Sequence, residues 1–354
     1  MRADAQRAPH ATGRAGAMTT QPAAAFLSLL AALLFAGAAQ AAAISFVAST
    51  GKDSNPCSRS KPCRTLQEGV DKTSDGGDVV VVDSGFYGNN LNITKSIAIS
   101  AGGPTSAGGQ SQEITAVLRS ITINNAAASV VLRGLLLTGK GAAADTDGIL
   151  ISDAATVHIE DCIIERFPRH GINAFAIDTK IFVTRSAFRH NGEYGIRFVG
   201  IGSATAALTV DSSQFENNGF PGGFAGIHAG HGPIIITRSI LSGNSGNGVE
   251  QDVSNVNVVW STAANNGNNG FAVSGQADTP AELTLEHSTS RGNGFDGLSV
   301  SGNADGRARI SNSVFTENSF GIRNNGVVHT RENNTIAGNL DDHNGNDLEI
   351  LAPQ

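Results

Sequence analysis

Aromatic residues are scarce in this chain: 5% of it, with one Trp and two Tyr. A broad stacking platform for sugars or bases is therefore poorly stocked. Charged residues make up only 16%, the net charge is -7, and no basic cluster follows the first segment. That pattern disfavours nucleic-acid binding. Three cysteines are too few, and wrongly spaced, for a zinc site. Helical periodicity is missing from about residue 129 onward, which argues against a leucine-rich or helical array.

What the chain does have is glycine, 43 residues of it, as expected of a turn-dense all-β protein, and an internal repeat. A small residue recurs at Cys162, Ser186, Ser213, Ser239, Ser261, Ser288, Ser313 and Asn334, at intervals of 21 to 27 residues. Five places later stand Asn191, Asn218, Asn244, Asn266, Asn293, Asn318 and Asn339; the Cys162 unit has Phe167 instead. Gly followed by an aliphatic or aromatic residue comes next, as in Gly171-Ile172, Gly195-Ile196, Gly226-Ile227, Gly248-Val249 and Gly270-Phe271. Before each small residue, apolar residues alternate, as in Ile181/Val183 and Leu208/Val210. Steps of two mean strands with one buried face. A step of three at the small residue marks a corner. A propeller blade needs about 40 residues, too many for these units.

These units predict an all-β, single-stranded right-handed parallel β-helix, each coil stacking on the last at roughly 4.8 Å. The Asn row should lie inside a turn, hydrogen-bonding along the stack. The Gly before each aliphatic should be a corner needing positive φ.

Arg2, Arg7 and Arg14 precede an apolar run from Ala23 to Ala39, followed by small residues. This reads as a secretory signal peptide over residues 1–43, cleaved at Ala39-Gln40-Ala41 or Ala41-Ala42-Ala43, with Met1 or Met18 as the start. The expected compartment is secreted or periplasmic, with no stable membrane span. Residues 44–354 would form the solenoid, 44–78 its N-terminal cap region and 328–354 its C-terminal cap and partly loose tail. In an oxidising compartment, Cys57 and Cys63 should form a disulfide, and Cys162 reads as a buried small residue. A short capping helix is expected from Thr65 to Lys72, with Thr65 as N-cap and Glu68 completing a capping box. It would cover the open end of the first coil. Past Val328 the register fails, since His329 and Arg331 fall where apolar residues should be.

Phe46-Val47-Ala48-Ser49-Thr50-Gly51-Lys52-Asp53, Pro62-Cys63-Arg64-Thr65-Leu66-Gln67, Gly77-Asp78-Val79-Val80-Val81 and Gly85-Phe86-Tyr87-Gly88 resemble the opening of bacterial pectate-lyase-like right-handed β-helix proteins. The later Asn-Gly-x-x-Gly-Ile strings resemble their repeats. The resemblance spans nearly all of the chain after the signal peptide and implies a fold hosting polysaccharide lyases, glycoside hydrolases, epimerases, esterases and non-catalytic members. Family motifs are incomplete here. Asp145-Thr146-Asp147-Gly148 and Gly230-His231-Gly232 resemble parts of the polygalacturonase set, without the Asp-Asp between them or an Arg-x-Lys after. Arg166-Phe167-Pro168-Arg169 resembles the pectate-lyase Arg-x-Pro-x-x-Arg, but Gly171 replaces the second Arg.

The repeat supplies its own search rule. If the residue after Gly faces inward, the next faces solvent. That position runs Leu150, Asn173, Arg197, His228, Glu250, Ala272, Ser299, Arg323. Arg197, His228, Glu250 and, two residues on, Asp252 are the candidate catalytic residues. His228 would move a proton, Arg197 would neutralise a sugar carboxylate, and Glu250 or Asp252 would be the partner acid or orient the His. Asn173, Tyr194 and His170 are candidate substrate contacts. No metal or cofactor is expected; Asp341 to Asp347 is oxygen-rich but lacks calcium-loop spacing. Two functions follow. One is an exported protein acting on or binding an acidic polysaccharide, by β-elimination or hydrolysis. The alternative is a non-catalytic surface or adhesion solenoid that binds glycan or protein along one flank. An enzyme should have loops walling this face, for which 200–207 and 217–226 are the candidates.

Overall fold

The computed structural model describes residues 42–101, 114–175, 178–199, 205–277 and 279–351. Residues 1–41 of the signal-peptide reading and part of the 200–207 wall lie outside these residues.

Each coil is built from three short strands. Ile172–Ala174, Lys180–Thr184 and Ala187–Arg189 form one coil. Ile196–Phe198, Ala207–Asp211 and Gln214–Glu216 form the next. Every strand pairs in parallel with its counterpart one coil away, which yields three faces. Ile149–Glu160 runs through two faces at once, pairing with Ile172–Ala174 at one end and Lys180–Thr184 at the other. Ser120–Arg133 does the same one coil earlier. One continuous apolar core runs from Val47 to Val328. Like side chains meet inside it: the Phe188 and Phe215 rings stack 4.9 Å apart and nearly parallel.

The asparagines line up. Asn191 Nδ2 donates to Asn218 Oδ1, and the same bond recurs from Asn218 to Asn244, Asn266, Asn293, Asn318 and Asn339, at 2.9–3.1 Å. Each Oδ1 also accepts the backbone N–H of the preceding Asn, as Asn244 Oδ1 does from Asn218. The column ends on a carboxylate, because Asn339 donates through both Nδ2 and its backbone N–H to Asp342 Oδ1. The serines form a second column. Ser213 Oγ accepts from Ser186 N–H, Ser239 Oγ from Ser213 N–H and Ser261 Oγ from Ser239 N–H, each at 3.1 Å. Buried turn groups are thereby paired where no strand can pair them.

The corners differ from expectation in one respect. None of Gly171, Gly195, Gly226, Gly248, Gly270 and Gly297 has positive φ. The left-handed residue is the one before each small anchor from Cys162 to Ser313: Asp161, Arg185, Ser212, Arg238, Trp260, His287 and Asn312, with φ of 48–54°. The glycines are needed for space. A Cβ on Gly171 would sit 2.5 Å from the Gly195 carbonyl oxygen, and one on Gly248 2.5 Å from that of Gly270.

At the N-terminus, Ala42–Val47 pairs with Thr73–Val81, and Cys57 is disulfide-bonded to Cys63. Helix Leu66–Lys72 buries Leu66 and Val70 against Val47 and Val79. Thr65 caps it by accepting from Glu68 N–H. The other half of the capping box is replaced: Asp53 takes the Thr65 N–H, and Glu68 pairs with Lys72. At the C-terminus the register does not fail at Val328. Val327–Thr330 pairs with Arg307–Ile310 and then with Glu349–Ile350. Val328 points inward, and His329 continues the outward row of Arg309. Cys162 is buried, and burial pushes its thiol up to about 12. Among the described residues no helix is long and apolar enough to cross a membrane.

Candidate functional site

The strands that follow the repeated glycines place Asn173, Arg197, His228 and Glu250 side by side. Asn173 is directly paired with Arg197, Arg197 with His228, and His228 with Glu250. The inner neighbours Ile196, Phe198, Ile227, Ala229 and Val249 are buried, so the alternate positions turn out. Neighbouring strands lie roughly 4.8 Å apart, close enough for these side chains to touch in sequence.

His228 Nε2 lies 3.0 Å from Asp252 Oδ2. The Tyr194 ring stacks on the imidazole at a centroid distance of 4.9 Å and 19°, and Phe224 packs edge-on against Tyr194 at 5.1 Å. Phe224 comes from the 217–226 segment, so that loop does lie against this face. One donor atom from each of His228, Glu250 and Asp252 lies within 4.8 Å of the other two. Burial pushes the Glu250 carboxyl above the ordinary carboxylate range; the facing His228 opposes that rise and Asp252 adds to it. Tyr194 is raised to about 12, by burial first and then by Glu250 and Asp252. Its hydroxyl is therefore protonated at neutral pH.

Arg197 donates to Asn173 Oδ1 at 3.2 Å. Asn173 in turn donates to Asp147 Oδ2 at 2.9 Å. None of the ion pairs among the described residues includes Arg197. Its guanidinium is braced by Asn173 and has no carboxylate partner among the described residues.

His170 and Asn173 are 1% and 4% exposed, which places them behind the surface instead of on it. Burial first, then Arg169, Arg197 and His228, lowers His170 to about 3. It is neutral, and its 3.1 Å contact to Glu193 Oε2 is a hydrogen bond. The ring stacks on Tyr194 at 5.6 Å. Sequence reasoning missed Asp147, Arg169, Glu193 and Phe224 as parts of this cluster. Asp147 and Arg169 had surfaced only inside incomplete motifs. The signal that could have found them is adjacency: Asp147, His170 and Tyr194 each precede the repeated Gly in successive coils.

Among the described residues, His228, Glu250 and Asp252 are the group whose donors could converge on a cation. A metal-bound His normally gives its second N–H to a fixed acceptor, and His228 Nδ1 is buried with no partner. The residues fit a metal poorly.

A three-faced parallel β-helix with one polar, partly buried column is thus defined by its geometry. Comparison with known proteins agrees on the architecture. The family profile described as right handed beta helix region matches residues 87–252 and again 147–315, together more than half of the chain. The chain belongs to this right-handed β-helix family. No curated protein matches it. Among solved structures it is similar to a rhamnogalacturonan lyase, with TM-score 0.55 and 13% identity over 76% of this chain and 82% of that one. The pectate lyase Pel9A is similar at TM-score 0.52 and 16% identity, over 86% of this chain and 78% of that one. The A-module of the Azotobacter vinelandii mannuronan C-5 epimerase AlgE4 gives TM-score 0.54 and 12% identity, over 79% and 91%.

Proposed function

We propose that this is an exported protein that acts on an acidic polysaccharide by β-elimination at a uronate residue, using the Arg197–His228–Glu250–Asp252 cluster. One observation carries the reading: a guanidinium with no ion-pair partner among the described residues stands one coil away from a His–carboxylate cluster. Arg197 binds the uronate carboxylate, which makes the adjacent C5 proton more acidic. Glu250 takes that proton; its raised pKa makes it a stronger base than an ordinary carboxylate. The C4–O bond breaks, a C4–C5 double bond forms, and the proton shared between His228 Nε2 and Asp252 Oδ2 passes through the more exposed Asp252 to the departing oxygen. Tyr194 and Phe224 hold the imidazole in place.

Hydrolysis is less well supported. Hydrolases place their two carboxyl groups about 5–9.5 Å apart, on either side of the bond. Here Glu250 and Asp252 offer oxygens within 4.8 Å of each other, in one cluster. The similar solved structures are a rhamnogalacturonan lyase, a pectate lyase and a mannuronan C-5 epimerase, in keeping with a carbohydrate substrate. The Cys57–Cys63 disulfide is compatible with export.

Polygalacturonate, alginate and pectin should be incubated with the protein and with Glu250→Gln and His228→Ala, while unsaturated uronate ends are followed by ultraviolet absorbance. Product from the parent, and at least a hundred-fold less from both variants, is expected. Equal rates in all three would remove the proposed centre. Binding without product would favour the non-catalytic glycan-binding solenoid.

A further inference from the structure

The chain's one Trp does not lie in the core, where most of the buried aromatic rings are. Trp260 is 60% exposed. It sits at a corner where the backbone is left-handed, with φ of 54°. Other coils fill this slot with Asp, Arg, Ser, His or Asn. A bulky residue in that conformation is an outlier, and its ring gains nothing from burial. The Trp260 backbone N–H donates to the Glu286 carbonyl at 3.1 Å, as the N–H groups of Arg185, Ser212 and Arg238 do at their corners. One face of the indole stacks on His287 in the next coil, at a centroid distance of 4.1 Å and 18°.

The surroundings decide which partner suits this ring. Arg238 and Asn312 occupy the same corner in flanking coils and are exposed, and Glu286 precedes His287. A protein partner would need a contiguous apolar patch, which polar corner neighbours do not make. A pyranose ring matches better. It offers C–H bonds from its face and hydroxyls from its edge, so it needs one flat ring with a polar rim.

We propose that the Trp260–His287 corner is a glycan-docking site. A sugar ring stacks on the exposed indole while its hydroxyls meet Glu286; the Arg238 guanidinium is held by Asp211 and Ser212 one coil earlier. The corner lies in the same coil as Glu250, separated from it by the strand Asn255–Val259. It is therefore distinct from the His228 column and does not need that column to be catalytic.

Because Trp260 is the sole Trp, its emission reports this site directly. Titration with polygalacturonate, alginate and a soluble neutral β-glucan should give a saturable emission change with at least one. That change should persist in Glu250→Gln. In native gels containing the same polymer, Trp260→Ala should lose most of its retardation, and His287→Ala should weaken it several-fold, with unchanged circular dichroism. No emission change with any of the three polymers would overturn the proposal, as would undiminished retardation of Trp260→Ala. An emission change without product formation would instead count against the lyase reading and leave this site standing.

Discussion

The stack of asparagines should be worth several kcal/mol per rung, and Asn244→Ala tests this. Asn244 is 1% exposed. Its side chain makes four hydrogen bonds: it accepts from Asn218 N–H and Nδ2, and donates to the Phe215 carbonyl and Asn266 Oδ1, all at 3.0–3.1 Å. Truncation removes all four. Asn218 Nδ2 keeps the Phe188 carbonyl, and Asn266 Oδ1 keeps the Asn244 N–H. The Asn218 N–H loses the side-chain acceptor it has here. An orphaned buried donor costs about 1–3 kcal/mol and each of the three other lost bonds about 1, so the expected loss is about 5 kcal/mol. At about 2 °C per kcal/mol for a chain of this size, thermal unfolding followed by circular dichroism should shift down by about 10 °C. Asn257→Ala, on the exposed side of the next coil, should shift it by less than about 1 °C. Asn244→Asp separates the donor from the acceptor role. A buried carboxylate with no hydrogen to give would have its pKa raised on folding. Its penalty should be small at low pH, where it is protonated and can still donate, and should grow as pH rises. An Asn244→Ala loss below about 1 kcal/mol would show that the ladder records only the register and does not hold it.

Four further outcomes follow. Glu250→Gln should raise the melting temperature at neutral pH, because a carboxyl whose folded pKa is raised by burial favours the folded state below its unfolded pKa and loses that advantage as pH rises; the gain over the parent should vanish in acid. His170 is the opposite case: lowered to about 3 by burial, it adds stability above its unfolded value of about 6.5, lost as pH falls from there toward 3. Urea midpoints across that range should fall less steeply for His170→Gln. Arg197→Ala should raise KM for uronate polymers by about ten- to a hundred-fold, the worth of one charged hydrogen-bonded contact, with a smaller change in the melting temperature. Gly248→Ala should yield little folded protein, since its Cβ would meet the Gly270 carbonyl oxygen at 2.5 Å and the Ala263 Cβ at 3.0 Å.

Columns were legible because a parallel stack repeats one slot per coil. Reading every Gly-plus-two residue places Arg197, His228 and Glu250 in adjacent strands, and the observed pairing agrees. Contacts between columns were not legible. Whether His228 turns toward Asp252 or Tyr194 depends on side-chain torsions and on the turns, whose lengths vary. The 217–226 turn is longer than its counterpart between Asn244 and Gly248, and that extra length carries Phe224 to Tyr194. Burial of His170 and Asn173 was hidden for a related reason. Asn173 is held between Asp147 and Arg197, and the His170 ring lies against Tyr194.

The glycines show why a correct pattern can support a wrong cause. Positive φ and a missing Cβ both select glycine, so the recurrence of Gly before the aliphatic could not separate them. The structure separates them through neighbours. Each glycine faces the carbonyl of the next glycine and, at Gly171, Gly226 and Gly248, the Nδ2 of an Asn in the ladder as well, at about 3 Å. The Gly row and the Asn row are therefore one device: the backbone comes close because the side chain is gone, and that approach lets the amide column sit inside the turn. Left-handed corners meanwhile fall on Arg185, Arg238 and Trp260 as well as on His287; the first three are residues that no local preference would choose there. Stacking tolerates them because the anchor behind each corner, Ser186, Ser239, Ser261 or Ser288, accepts the N–H of the preceding anchor, which fixes the bend from within. Such a corner residue is free to vary outward, and Trp260 stands in this outward-varying slot.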